Sequence, residues 1–203
     1  MEGINFNVMI NKVLINLVYL LYPRNICAYT EKDKYFITEE YKRLNQIVSD
    51  FDTEDVKVLR KSILEKFEND KTLKNFQDFS LFNQQDRCMT FNLSIIEDRE
   101  LYTISLFVSV IVPYYVIKVQ KNMIELFFSE SAITDLENKN TETRELNELV
   151  LEIENIIEDK FLYGKFPHKL LNYVVDDISF QDSIFGHFTM FNAFFNNVII
   201  KEN

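Results

Sequence analysis

Along the first third of the chain, apolar residues return every three or four positions, the spacing of one helix face. Ile4–Tyr22 reads as an amphipathic or buried helix closed by Pro23, which has no N–H to continue the ladder. Thr38-Glu39-Glu40 opens a second helix that runs to about Phe51. Asp52 or Thr53 caps a third, with Glu54 and Asp55 in its electropositive first turn and Val56, Leu59, Ile63 and Phe67 along its apolar face.

From Cys88 the period changes to two. Met89, Phe91, Leu93 and Ile95 alternate with Cys88, Thr90, Asn92 and Ser94, and Glu97-Asp98-Arg99-Glu100 makes a polar break. Leu101–Ile117 carries no formal charge, a length at the lower limit for a membrane helix. Thr103, Ser105 and Ser109 share one parity, however, and Tyr102, Ile104, Leu106, Val108, Val110 and Val112 the other, so a buried strand fits better. Pro113 bends or interrupts it, Tyr115, Ile117 and Val119 continue the alternation, Lys121-Asn122 signals a turn, and Met123–Phe128 forms a short last strand.

Helical spacing then returns. Thr134-x-x-Glu137 matches a capping box, and Thr141 caps a long helix to about Leu162 with Leu146, Leu149, Val150, Ile153, Ile156, Ile157 and Phe161 on one stripe. Gly164 and Pro167 end it. Tyr173–Val175 and Ile178–Phe180 are ambiguous and can add a strand; Asp182 or Ser183 caps a last helix bearing Ile184, Phe188, Phe191, Phe195 and Val198. The pattern predicts an α+β fold: an antiparallel meander of three to five strands, over about 88–128 and with 173–180 as an optional addition, flanked by N-terminal and C-terminal helices. No linker divides residues 1–203, so one domain is expected.

Composition removes several classes. With Gly3, Gly164 and Gly186 as its only glycines, the chain has no glycine-rich phosphate loop. A formal net charge of −10 argues against a nucleic-acid binder. Cys27 and Cys88 have no metal-type or redox-motif spacing, and two reduced thiols in a cytoplasmic protein are expected. The apolar run Val13–Tyr22 after Lys12 loosely imitates a signal peptide, but Asn16 and Pro23-Arg24 break the pattern, and an uncleaved start is expected. Abundant Asn, Ile, Lys, Phe and Tyr, with few Gly, Ala and Pro, suggest an A/T-rich genome such as that of a low-GC bacterium or mobile element.

The acidity is uneven. Residues 1–80 carry 12 basic and 13 acidic side chains, whereas residues 81–203 carry 10 and 19. Between Glu130 and Asp159, ten acids face only Lys139 and Arg144. On the long helix Glu142, Glu145, Glu148 and Glu152 descend adjacent turns, where like charges repel by about 0.2–0.5 kcal/mol per pair. Such a face is either a solvated surface or a docking stripe for a cationic protein. Tyr114 and Tyr115, beside Pro113, either add a recognition surface or close the edge of the core. The aromatic residues from Phe161 to Phe195 sit at core-like spacing, with a pocket or partner groove as the alternative.

Catalytic chemistry finds little footing. His168 and His187 have no metal-motif neighbours, and only convergence with Asp176, Asp177 or Asp182 would build a site from them. No nucleophile-elbow, nucleotide-binding or kinase pattern occurs. Neither catalytic residues nor a metal or cofactor are therefore expected. The expectation is a non-enzymatic, cytoplasmic protein-binding protein with a basic partner and no membrane attachment, such as an immunity protein or antitoxin against a basic toxin or nuclease. The alternative is an assembly subunit that uses Tyr114, Tyr115 and the Phe188–Phe195 region, with homo-oligomerisation open. A third reading, an enzyme or apolar-ligand carrier, needs a pocket under the phenylalanines.

Overall fold

The long alternating run folds as three adjacent antiparallel strands because both of its faces can be covered. The computed structural model describes residues 6–51, 54–70, 73, 75–82, 85–97, 100–122 and 145–197. Strands β2 (Cys88–Glu97), β3 (Glu100–Ser109) and β4 (Tyr114–Asn122) form the meander, flanked by the two-residue strands β1 (Gln77–Asp78) and β5 (Gly164–Lys165). The order is β1-β2-β3-β4-β5, and only the β4–β5 pair is parallel. Register is unbroken from Cys88↔Ser109 to Glu97↔Glu100, so odd-numbered residues of β2 and β4 share a face with even-numbered residues of β3.

Helices α1 (Phe6–Leu21), α2 (Lys32–Phe36), α3 (Glu39–Asp50), α4 (Glu54–Glu68), α5 (Leu146–Phe161), α6 (His168–Leu171) and α7 (Met190–Phe194) account for the helical segments. Met89, Phe91, Leu93, Ile104, Leu106, Val108 and Tyr115 pack against Ile63 and Phe67 of α4 and Leu149, Ile153, Ile156 and Ile157 of α5. On the other face Cys88, Phe107, Val112 and Val116 meet Leu14 and Val18 of α1, Leu44 and Val48 of α3, and Phe188, Phe191, Phe194 and Phe195. The result is a helix–sheet–helix sandwich. Each fully buried phenylalanine stabilises it by about 1.5–3 kcal/mol. Thr38 caps α3 by accepting the Tyr41 N–H, as its position before Glu39-Glu40 suggests.

Several expectations change. Lys121 and Asn122 pair with Tyr102 and Leu101 and belong to β4 instead of a turn, while the interruption expected at Pro113 is present at 110–113, where Ser109 Oγ accepts the Ile111 and Val112 N–H groups. Residues 173–180 add isolated bridges, Val174↔Thr189 and Arg24↔Ile178, and no sheet strand. The last helix does not begin at Asp182 or Ser183. It is α7, opened by a capping box between Thr189 and Asn192, while Ile184 stays exposed. Helix α5 ends on Leu162 in the left-handed conformation (φ 58°), ahead of Gly164. The expected strand Met123–Phe128, the caps Asp52, Thr53, Thr134 and Thr141, the box partner Glu137, and Val198 lie outside the described residues. No helix among the described residues is long and apolar enough to cross a membrane.

Candidate functional site

Helix α5 is held on the sheet by its apolar stripe and by two polar ties. Glu97, at the end of β2, accepts the Leu146 N–H (2.9 Å) and places a carboxylate at the electropositive start of the helix. Tyr115 donates its hydroxyl to Glu158 Oε1 (2.6 Å) from the middle of the sandwich. Glu154 pairs with Lys165 of β5. These contacts fix which side of α5 faces outward. Glu148, Leu151, Asn155 and Asp159 recur there at three- and four-residue spacing, all exposed, and exposed Leu162 follows the end of the helix.

Two of these residues are not explained by folding. Leu151 is 57% exposed and Leu162 is 81% exposed. Leu162 also occupies a left-handed position where a side chain costs about 1–2 kcal/mol and glycine is the usual occupant. Around them the exposed charge is mainly carboxylate. Among the described residues no ion pair engages Glu145 or Glu148. Beside this face, Lys66, Asn69 and Asp70 of the α4 end and Glu152, Asn155, Ile156, Asp159 and Lys160 line an open groove of about 340 Å³. There lysines and carboxylates are mixed, so the unbalanced negative charge lies toward Glu145 and Glu148.

The residues singled out by sequence therefore separate. Glu145 and Glu148 are exposed on one side of α5; Glu152 is half-buried at the groove; Glu142 lies outside the described residues. Tyr115 is fully buried and is no recognition surface: its ring fills the core between the sheet and α5. Tyr114 is half-buried, edge-on to Phe166. The Phe188–Phe195 region is also interior: Phe188, Phe191, Phe194 and Phe195 are fully buried, with Phe191 and Phe195 stacked 5.2 Å apart. This removes the aromatic surface proposed for assembly and leaves packed rings where a pocket was considered. His168 and His187 are exposed, Asp177 pairs with Arg24 (2.6 Å), and Asp176 accepts the Gly186 N–H through its carbonyl. No group of three or more His, Cys, Asp or Glu among the described residues is arranged to hold a metal.

Three residues are chemically distinctive, and the first two escaped the sequence reading. Arg87, fully buried, gives hydrogen bonds to the Asn192 and Gln85 carbonyls and to Gln181 and Asn197, and its guanidinium lies 5.0 Å from the Phe180 ring centroid. Lys118 carries a buried Nζ with no hydrogen-bond partner, 3.8 Å from the Phe191 centroid and 5.6 Å from that of Phe107. Burial pulls its ammonium down to about 8, an effect partly opposed by the neighbouring Cys88.

The third is Cys27. Hydrogen bonds from the Thr30 side chain, then from the Thr30 and Tyr29 N–H groups, hold its thiol down at about 7, whereas burial pushes Cys88 up to about 12. Both cysteines are free thiols, Cys27 half-exposed and Cys88 buried. Iodoacetamide at pH 7.5 should alkylate Cys27 at least tenfold faster than Cys88, as read by peptide mass; equal rates would show that the loop does not hold a thiolate.

No protein-family model matches the chain, and no curated protein or solved structure matches it significantly.

Proposed function

We propose that this protein is a non-enzymatic binding protein whose outward α5 face docks on a cationic protein, in the manner of an immunity protein or antitoxin that neutralises a basic toxin or nuclease. The observation that carries this reading is the pair Leu151 and Leu162, exposed on a helix face whose other charged side chains are carboxylates. Exposed apolar side chains set among charged ones are a feature of protein interfaces. The net charge of −10 adds long-range attraction to a basic partner and speeds encounter. A nuclease is a fitting target because its substrate-binding surface must itself be cationic to hold phosphates.

The test compares wild type with Glu145→Lys/Glu148→Lys/Leu151→Glu in capture from native lysate at low and high salt. All three positions are exposed, so far-UV circular dichroism should be unchanged. The wild type should retain a basic protein that salt releases, and the variant should lose it by at least tenfold. Equal capture by both would overturn the reading. Homo-oligomerisation is a separate outcome, seen as a doubled mass by light scattering.

A further inference from the structure

Strand β4 borders β3 along almost its whole length, but its other edge is paired only at the start. There β5 pairs with Tyr114 and Tyr115, with Gly164 N–H donating to Pro113 O and Phe166 N–H to Tyr115 O, both at 2.9 Å, before Pro167 leads the chain into α6. In an antiparallel pair, the N–H and C=O of one residue point to one neighbouring strand and those of the next residue to the opposite side. The Tyr115 carbonyl meets β5, so Tyr115 faces the outer edge. The register runs without a bulge to Asn122, so the same parity sends the N–H and C=O of Ile117, Val119 and Lys121 outward as well. Val116, Lys118 and Gln120 turn theirs toward Phe107, Ser105 and Thr103 of β3. Among the described residues, no backbone group bonds the outward N–H and C=O groups of Ile117, Val119 and Lys121.

A row of alternating donors and acceptors at the two-residue repeat of a strand defines its own complement, a second stretch of extended backbone. The side chains narrow the choice. Ile117 and Val119 lie on the α5 side of the sheet with Tyr115; Ile117 is half-buried and Val119 is 40% exposed, so an incoming strand meets apolar surface there. On the opposite side Gln120 is exposed and suits a polar neighbour. Natural edges are guarded by bulges, prolines and charged side chains. Between Ile117 and Gln120 the one charged residue is Lys118, and its amine is already buried against Phe191 and Phe107, so a pairing strand would desolvate no further charge there. Lys121, at the end of the row, is engaged by Glu100.

We propose that the outer edge of β4 from Ile117 to Lys121 docks an extended, uncharged segment of another protein, which adds a strand alongside β4, in line with β5, with its apolar side chains over Ile117 and Val119. Backbone hydrogen bonds hold the segment, and the alternation of apolar and polar side chains selects it. A second copy of the chain is a poorer occupant, because each copy brings a net charge of −10 to the contact. The edge uses backbone groups of β4 and none of the α5 carboxylates, so this proposal and the α5 reading can fail separately.

The test uses the full chain and a fluorescein-labelled hexapeptide of alternating valine and threonine, with binding followed by anisotropy and amide exchange by NMR. In the free chain the amides of Ile117, Val119 and Lys121 should exchange at least tenfold faster than those of Val116, Lys118 and Gln120. With the peptide bound, the three fast amides should slow at least tenfold. Val119→Pro removes one outward N–H and none from the β3 ladder, so it should weaken binding at least tenfold with far-UV circular dichroism unchanged. If that variant unfolds, Lys121→Pro makes the same change nearer the end of the strand and should weaken binding several-fold. No saturable binding, or slow exchange of the three amides already in the free chain, would overturn the proposal. A doubled mass by light scattering that Val119→Pro abolishes would overturn it too, and would give the edge to a second copy.

Discussion

Arg87→Ala should lower the unfolding free energy by about 4 kcal/mol or more, because it leaves several buried acceptors unpaired and opens a cavity. The guanidinium reaches Asn192 O (3.1 Å), Gln85 O (2.8 Å), Gln181 Oε1 (3.0 Å) and Asn197 Oδ1 (2.9 Å). It thereby ties the segment before β2 to the C-terminal residues. The backbone reinforces the tie: Arg87 N–H donates to Phe195 O, and Arg87 O accepts the Val110 N–H, both at 2.9 Å. Arg87→Lys should fare little better, since an ammonium cannot reproduce a planar fork of five donors. Urea unfolding would measure both variants. A loss below about 1 kcal/mol for the alanine variant would place the guanidinium in water, where surface contacts have values of that size.

Lys118→Met should do the opposite and stabilise the fold by about 1–2 kcal/mol, since replacing an unpaired buried charge with an apolar chain of similar length removes a desolvation cost. The gain is held down by loss of the cation–π contacts to Phe191 and Phe107, which can reach about 2 kcal/mol when desolvated. The comparison should depend on pH in a definite sense. The folded amine titrates near 8 and the unfolded one at its ordinary value of 10.5. Between those values the unfolded chain holds a proton that the folded chain has released, so the wild type gains stability as pH rises. The advantage of the methionine variant should be full below pH 8 and shrink toward pH 10.5. Cys88, raised from 9.0 to about 12, acts in the opposite sense above pH 9. It is present in both proteins and largely drops out of their difference. An advantage that stays constant from pH 7 to pH 10 would show that Lys118 titrates like a surface lysine.

The sheet was legible in the sequence because residues 88–109 alternate with period two, and the register keeps that alternation across three strands. The apolar stripe of α5 was equally plain, and Leu149, Ile153, Ile156 and Ile157 are its buried members. The short strands β1 and β5 were not legible, since two residues carry no periodicity and their pairing is decided by tertiary contacts. Helix α7 was misplaced because Phe188, Phe191 and Phe195 keep a helical spacing although Phe188 is positioned by a bridge-forming segment. Lys118 and Arg87 escaped for a common reason. In sequence, each is one charged residue near a strand boundary or on the weaker parity, which reads as solvent. Only the covering of the second sheet face by α1 and the C-terminal phenylalanines makes them interior.

The acidic stripe was visible as composition, but sequence could not say which carboxylates are already engaged. Glu154 and Glu158 are tied to Lys165 and Tyr115, whereas Glu145 and Glu148 are exposed, Glu148 one turn before Leu151. The most direct measurement of that face is carboxyl footprinting of the free chain and of its captured complex, using carbodiimide and glycine ethyl ester at low salt. If α5 is the docking surface, labelling of Glu145, Glu148 and Asp159 should fall several-fold in the complex and return when salt dissociates it. Unchanged labelling at those three residues, with protection appearing elsewhere or no complex to footprint, would contradict it.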